Sequence, residues 1–379
     1  MKITLIPIAL ALPIVFGFTS CEGPKLASQA PVVKTVKEAP KPVINPENEL
    51  TNQKIWYSGE FYGKSVRGVR SMNDGENFTT LGRSATGQEI NKFSYATYEK
   101  VGTVLSSSDL KDEDGKSISI DAYQFNADET KVLIATEQES IYRRSSKSYY
   151  YIYDIKTKKT TPLSNKKLGK QRLAEISPAG THVAFVRENN LFFKSLETGK
   201  ENQITLNGEM NKIINGATDW VYEEEFSIHK GFEWNANGSK IAFLTFDESE
   251  VKEFQLEYYG NLYPRVYKFK YPKAGEDNSK ISVSIHDIWT QTTTPVAIED
   301  KEEYYIPRIN WTQDFNKLCI TKLNRLQNKI ELLMVDCESK SAQKTIEYSS
   351  KAFIQKLLKL TLIFMTTLLF SKTTTLICG

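Results

Sequence analysis

The run Asp219-Trp220-Val221-Tyr222-Glu223-Glu224-Glu225-Phe226 sets three consecutive carboxylates among bulky aromatic side chains. Trp220, Tyr222 and Phe226 would hold such carboxylates against apolar surface, where an unpaired charge is costly. The chemistry open to this stretch is therefore to receive a cation. On a strand, Glu223 and Glu225 would share one face and Glu224 would take the other. In a helical turn, neighbours sit about 100° apart and two adjacent carboxylates can converge on one target. The competing reading is a solvated charge run.

Other chemistries find less support in the residues. Gly59-Glu60-Phe61-Tyr62-Gly63-Lys64-Ser65 is one residue short of a phosphate loop and lies in an aromatic, strand-like context, so it reads as a turn. No Gly-x-Ser-x-Gly occurs in the sequence, so the strained elbow that presents a nucleophilic serine is missing. The three histidines are His182, His229 and His286. His182 falls on a repeated strand and His286 beside Ile285 and Ile288, which suits structural roles. Cys319 and Cys337 flank a hairpin with its turn near Asn324 to Asn328; mirror symmetry about that turn places residue 319 opposite about 333, so a disulfide between the two is open but out of register. No Cys/His cluster has metal-ligand spacing, so neither a metal nor another cofactor is called for.

The elements that must position the acidic run are strands. At 379 residues, with 40% hydrophobic and 11% aromatic content, the chain has the makings of a large folded core. A net charge of +3 supplies no field for nucleic acid. A degenerate strand, turn, strand unit recurs. Its copies run from Tyr123 through Asp128 to Ile134, from Ala174 through Gly180 to Phe185, from Phe232 through Gly238 to Phe243, and from Ile309 through Asp314 to Ile320. Further strands, Tyr149 to Ile155 and Leu191 to Ser195, lie between the copies. Units of roughly 50 residues with several short strands are what propeller blades require, a β-sandwich being the competing architecture. The wider interval from Glu250 to Thr294 predicts an insertion or an extended hairpin. The fold class expected is all-β.

The ends read differently. Met1-Lys2, the apolar run Ile3 to Phe18 and then Thr19-Ser20-Cys21 form an export signal with a lipobox-like ending. It resembles bacterial lipoprotein signals, in which Cys21 becomes the lipidated first residue, and this predicts an exported, lipid-anchored protein at the periplasmic face or cell surface, the competing reading being a plain secretory signal with an incidental cysteine. Residues 22–52 carry five prolines among lysines and alanines and read as an extended tether. Residues 53–347 form the propeller region. From residue 348 to the end there is no Asp or Glu and no strand alternation, and the apolar run Leu360 to Ser371 is too short to span a membrane. This stretch reads as aberrant sequence, such as a shifted frame produces.

Asp219 to Phe226 resembles the DWVYEEE signature in the propeller of the dipeptidyl peptidase IV family, serine exopeptidases related to prolyl oligopeptidase. Lys64 to Gly75, Tyr271-Pro272-Lys273-Ala274-Gly275-Glu276 and Leu323 to Asn328 agree, so the resemblance spans about residues 50–345. It implies an eight-bladed propeller, of which this chain holds roughly five blades, with a short helical insertion carrying the glutamates. It also implies release of Xaa-Pro and Xaa-Ala dipeptides by an α/β-hydrolase domain whose Ser, Asp and His are not in this sequence. Glu224 and Glu225 would bind the free amino group of a peptide, and Glu223 would be structural. Arg143, with Arg144 as competitor, would orient the substrate carbonyl and the carboxylates. No catalytic residue is assigned, and the chain alone is expected to be inactive. The family is further implied to dimerise, partly through its hydrolase domain. The alternative is a non-enzymatic lipoprotein whose propeller binds a peptide or a protein partner.

Overall fold

The computed structural model describes residues 49–63, 68–85, 87–298, 302–339 and 341–349. The predicted signal with Cys21, the tether up to residue 48 and the tail from residue 350 lie outside the described residues. The chain divides into two compact units, residues 1–65 and 66–379. In the first, a π-helical turn, Gln53–Tyr57, is closed by Ser58 N donating to Gln53 O at 2.9 Å.

The second unit is a succession of antiparallel sheets. The first sheet holds β1 (Arg70–Ser71), β2 (Asn77–Ser84), β3 (Gly87–Ser94) and β4 (Lys100–Ser106). The second holds β5 (Ala122–Phe125), β6 (Lys131–Ser140), β7 (Ser146–Asp154) and β8 (Lys159–Pro162). The third holds β9 (Arg172–Ile176), β10 (His182–Arg187), β11 (Asn190–Ser195) and β12 (Glu201–Gln203). In the fourth, β13 (Ile213–Asn215) and β14 (Phe232–Trp234) both pair with β15 (Lys240–Asp247), and a separate hairpin, β16 (Glu253–Tyr258) with β17 (Arg265–Lys270), precedes β18 (Lys280–Asp287) and β19 (Thr292–Pro295). The fifth holds β20 (Tyr304–Trp311), β21 (Lys317–Asn324), β22 (Lys329–Asp336) and β23 (Ser341–Ser349). These are propeller blades, five among the described residues, and the hairpin occupies the interval where an insertion was expected.

The repeat is legible because one turn chemistry closes several blades. Asn126 Oδ1 accepts from Lys131 N at 2.7 Å, Ser177 Oγ from His182 N at 3.1 Å, and Asn235 Oδ1 from Lys240 N at 2.9 Å. The fourth residue of each turn, Glu129, Gly180 or Gly238, has φ of 56°, 71° or 69°, the left-handed residue that a type I turn with a bulge needs. Alternate strand residues then face the neighbouring sheets. Ile90, Leu105, Val132, Ile134 and Tyr151 bury the interval between the first and second sheets. Leu133, Ile152, Ile176, Val183 and Phe185 bury the next. A larger cluster joins the third sheet to the fourth and fifth, through Leu191, Phe193, Phe243, Phe246, Ile306 and Leu318 among others.

Cys319 lies opposite Met334, one position beyond the expected mirror residue, because the last pair before the turn is Leu323 with Ile330. Cys319 and Cys337 are both free thiols. Burial pushes the Cys319 thiol up to about 12.

Candidate functional site

The innermost strand of the fourth sheet is interrupted. β13 pairs with Thr245–Asp247 and β14 with Ile241–Phe243 along the same edge of β15, and between them the chain leaves the sheet. Two glycines form the neck of this excursion. Gly216 N donates to Leu244 O at 2.9 Å, Leu244 N to Gly231 O at 2.7 Å, and Gly231 N to Gly216 O at 3.0 Å. A Cβ on Gly216, which has φ of 72°, would lie 2.9 Å from Leu191 Cδ1, and one on Gly231 would lie 2.9 Å from Ala217 O. Side chains have no room at either position.

The excursion carries helix α1 (Trp220–Glu225). Asp219 is its N-cap and accepts from Tyr222 N at 2.9 Å, while Ser279 Oγ donates to the other carboxylate oxygen at 2.6 Å. Burial raises the Asp219 carboxyl above the usual range, against the pull of these bonds. Trp220 packs on Tyr271 with ring centroids 4.2 Å apart, at the base of the β16–β17 hairpin. Tyr222 and Phe226, one turn apart, enter the core, where the Tyr222 ring meets Phe246 edge-on and its hydroxyl accepts from Ile306 N at 2.8 Å. The helix stops at Phe226, after which Ser227 takes φ of 57°. Arg308 Nη2 donates to Phe226 O at 3.1 Å, which places a cation at the helix C-terminus.

With the aromatic face fixed inward, the glutamates take different directions. Glu223 is fully buried, and its Oε1 accepts from Arg144 N at 2.6 Å and Ser145 N at 2.9 Å. It thereby ties α1 to the loop between β6 and β7. Glu224 is partly buried, with Oε2 3.0 Å from Arg143 Nε, and Glu225 is exposed. Among the described residues Glu225 has no ion-pair partner. The resemblance brought Glu224, Glu225 and Arg143 to one site, and they share one locality here. Arg143 is the residue that pairs, whereas its competitor Arg144 supplies a backbone donor to Glu223.

Three residues around the site gave no signal in the sequence. Ser279 and Arg308 come to α1 from neighbouring strands or their approaches, and Arg172 on β9 is placed where the Glu223 charge bears on its guanidinium without an ion pair between them. His229, just past the helix, is half-buried and its imidazole is held below the ordinary value by burial, with Glu223 opposing. Buried His182 and His286 bond to Thr181 Oγ1 and Thr293 Oγ1, each at 2.9 Å. Among the described residues there is no group of three His, Cys, Asp or Glu that could hold a metal ion, and no helix long and apolar enough to cross a membrane.

The exposed Glu225, the partly buried Glu224 and Arg143 together carry one negative charge in excess, which is the balance a single cation would complete.

Comparisons with known proteins bear on the family and the fold. The chain is 31% identical over 264 residues to a probable dipeptidyl-aminopeptidase B of Talaromyces marneffei, a match covering 65% of this chain and 29% of that protein. It is 32% identical over 233 residues to the human prolyl endopeptidase FAP, covering 58% of this chain and 30% of that one. The chain thus spans about three-tenths of the length of these relatives. Among solved structures, Porphyromonas gingivalis dipeptidyl peptidase 4 superposes with a TM-score of 0.75 at 36% identity, over 82% of this chain and 44% of that one. A putative dipeptidyl aminopeptidase IV from Bacteroides ovatus, with a TM-score of 0.57 at 20% identity, shares the fold over 76% of this chain and 38% of its own. Residues 126–375, well over half of the chain, match the model of the dipeptidyl peptidase IV N-terminal region, and the chain belongs to that family.

Proposed function

We propose that this chain is the substrate-selecting part of an exported dipeptidyl peptidase, and that it recognises the free amino terminus of a peptide. Glu224 and Glu225 receive the α-ammonium, and Arg143 turns toward the first carbonyl. The observation that carries the reading is the Arg143–Glu224 pair at 3.0 Å beside an exposed Glu225, on a helix whose other polar and aromatic side chains are committed inward. An exopeptidase has to measure distance from a chain end, and two fixed carboxylates that accept an ammonium do so. An acylated terminus offers no cation and leaves them uncompensated. The residues present select and do not cut: there is no Gly-x-Ser-x-Gly, and the chain alone is expected to release no dipeptide. In the same proposal Cys21 carries the lipid that holds the protein at a membrane.

Calorimetric titration of the purified chain with Ala-Pro-Ala and with its N-acetyl form tests the reading. Binding of the free peptide, loss on acetylation and at least a tenfold weakening in Glu224→Gln and in Glu225→Gln are expected. Equal binding of both peptides would refute it.

A second reading, a binding propeller with a protein partner, is favoured by the exposed Tyr259, Leu262 and Tyr263 at the tip of the β16–β17 hairpin.

A further inference from the structure

Arg172 takes no part in the site as read so far, yet several features converge on it. It opens β9 at a β-bulge: Arg172 pairs with Val186 and Glu175 with Ala184, so β9 carries one residue more than β10 between those pairs. Leu173 takes up the extra residue with φ of 59°, a conformation that a branched side chain rarely adopts and that persists where surroundings enforce it. Bulges of this kind re-aim a side chain. The preceding residue is fixed as well. Gln171 exchanges backbone hydrogen bonds with Ser148 of β7, at 2.8 and 2.9 Å, which stitches the third sheet to the second beside the Arg143 loop.

The polar atoms left over here are complementary. Glu223 spends Oε1 on Arg144 and Ser145, and its buried Oε2 has no hydrogen-bond partner among the described residues. The buried Nε and Nη2 of Arg172 have none either. Among the described residues no ion pair within 4.0 Å joins the two groups, and Glu223 acts on the guanidinium through its charge at longer range. Burial pushes the guanidinium below its ordinary value and Glu223 is the strongest influence opposing that, followed by Tyr142, Tyr267 and Tyr150. An uncompensated buried carboxylate would be a poor anchor for a loop, and a guanidinium is the counter-charge that suits it.

We propose that Arg172 is a positioning residue of the site: its guanidinium is the counter-charge of Glu223, holding that carboxylate where it clamps Arg144 and Ser145 and so sets the place from which Arg143 meets Glu224. The peptide-binding arm of this inference rests on the function proposed above; the structural arm does not. Arg172 touches no substrate. It acts through Glu223 on the loop, which in turn fixes the carboxylate–guanidinium spacing that an α-ammonium must fit.

Amide hydrogen exchange of the full chain at Arg144 and Ser145 tests the structural arm. Arg172→Met is expected to speed exchange at these two amides at least tenfold relative to strands of the first and fifth sheets, Arg172→Lys to recover most of the protection, and Arg172→Met to add less than twofold in a Glu223→Gln background. Unchanged exchange in Arg172→Met, equal acceleration in both backgrounds, or acceleration spread evenly over every sheet would overturn it. Should Arg172→Met fail to fold, Arg172→Lys and Glu223→Gln are compared in the same way: protection lost in Glu223→Gln and retained in Arg172→Lys supports the pairing, and protection retained in Glu223→Gln overturns it. Titration with Ala-Pro-Ala then reads the consequence, with at least a tenfold loss of affinity in Arg172→Met. If the unaltered chain binds no peptide, the proposed function fails while the exchange measurement still decides the role of Arg172.

Discussion

Arg143 Nε stands 3.0 Å from Glu224 Oε2, but the partners are unequally placed: the Arg143 side chain is 73% exposed and that of Glu224 18%. A pair with one end in solvent is worth about 0–1 kcal/mol, so it opens cheaply. Glu224 is held by its helix, whereas Arg143 has a long exposed stem free to turn to another acceptor. The pair therefore suits a resting state that an incoming ammonium can replace.

In the exchange proposed above, the titrating group belongs to the peptide. An α-amino group has a pKa of about 7.7–8.0, so its charge is complete near pH 6.5 and lost above about 8. Affinity for Ala-Pro-Ala is expected to be level from pH 6 to 7 and to fall roughly tenfold per pH unit above about 8.5. Calorimetric titration across this range checks it; a flat profile would mean that the carboxylates read something other than the amine.

Glu223 bears on folding as well as binding. Replacing it by alanine leaves the amides of Arg144 and Ser145 without their acceptor and Arg172 without a counter-charge. Hydrogen bonds to a charged acceptor are worth about 1.5–3 kcal/mol each, so losing both costs roughly 3–6 kcal/mol. Urea denaturation of Glu223→Ala should show a loss of that order, and Glu225→Ala, at an exposed position, a change of less than about 0.5 kcal/mol.

A second buried carboxyl governs the response to pH. Glu248, at the end of β15, is pushed up to about 7, chiefly by burial and further by Asp219 and Asp247, with Lys270 pulling the other way. The folded protein keeps this proton up to about pH 7, whereas the ordinary value is 4.5. Between those values the folded state binds more protons than the unfolded one, so stability falls as pH rises through the window. Asp219, raised by burial, acts in the same direction. The loss attributable to Glu248 is on the order of 3 kcal/mol between pH 4.5 and 8. Urea midpoints for the unaltered chain should decline over that range, and Glu248→Gln should flatten much of the decline.

How much of this was legible follows from which interactions are local. The four repeat copies were readable because their turns carry their own chemistry, an Asn or Ser acceptor with a left-handed residue three positions on in most of them. The first sheet keeps the backbone of that turn between β1 and β2, where Gly75 has φ of 69° and Met72 N donates to Asn77 O at 2.9 Å, but Met72 stands where the others have an Asn or Ser acceptor. Several residues of β4 are exposed as well, so neither turn chemistry nor alternation marked it as a blade. The acidic run was visible for its composition, and the helical alternative for it is the one adopted. The sequence left Glu223 apart from the other two glutamates only through family resemblance, and here the aromatic face of α1 supplies the physical reason. Arg172 was out of reach altogether. Nothing around Gln171-Arg172-Leu173 distinguishes it from a surface arginine; the bulge and the Gln171–Ser148 bridge that set its place, and the Glu223 charge that bears on it there, exist only in the fold.

The repeated turn also offers a controlled comparison within one molecule. Asn126 and Asn235 each receive a backbone donor five residues on, at 2.7 and 2.9 Å. Asn235 makes two further bonds, from Nδ2 to Ser239 Oγ and to Phe315 O, both at 3.0 Å, and the second reaches the fifth sheet. The extra bonds of Asn126 go to Asp128 and Thr130 inside its own turn. Asn126→Ala should therefore cost about 1–2 kcal/mol, the loss of a local turn bond. Asn235→Ala should cost roughly 0.5–1.5 kcal/mol more, because it also removes the bond to the Phe315 carbonyl and loosens one blade from the next. Urea denaturation of the two variants, followed by amide exchange across Thr312 to Lys317, separates the cases: protection in the fifth sheet should drop for Asn235→Ala alone, and equal losses at the two positions would show that the bond between sheets adds nothing to the turn.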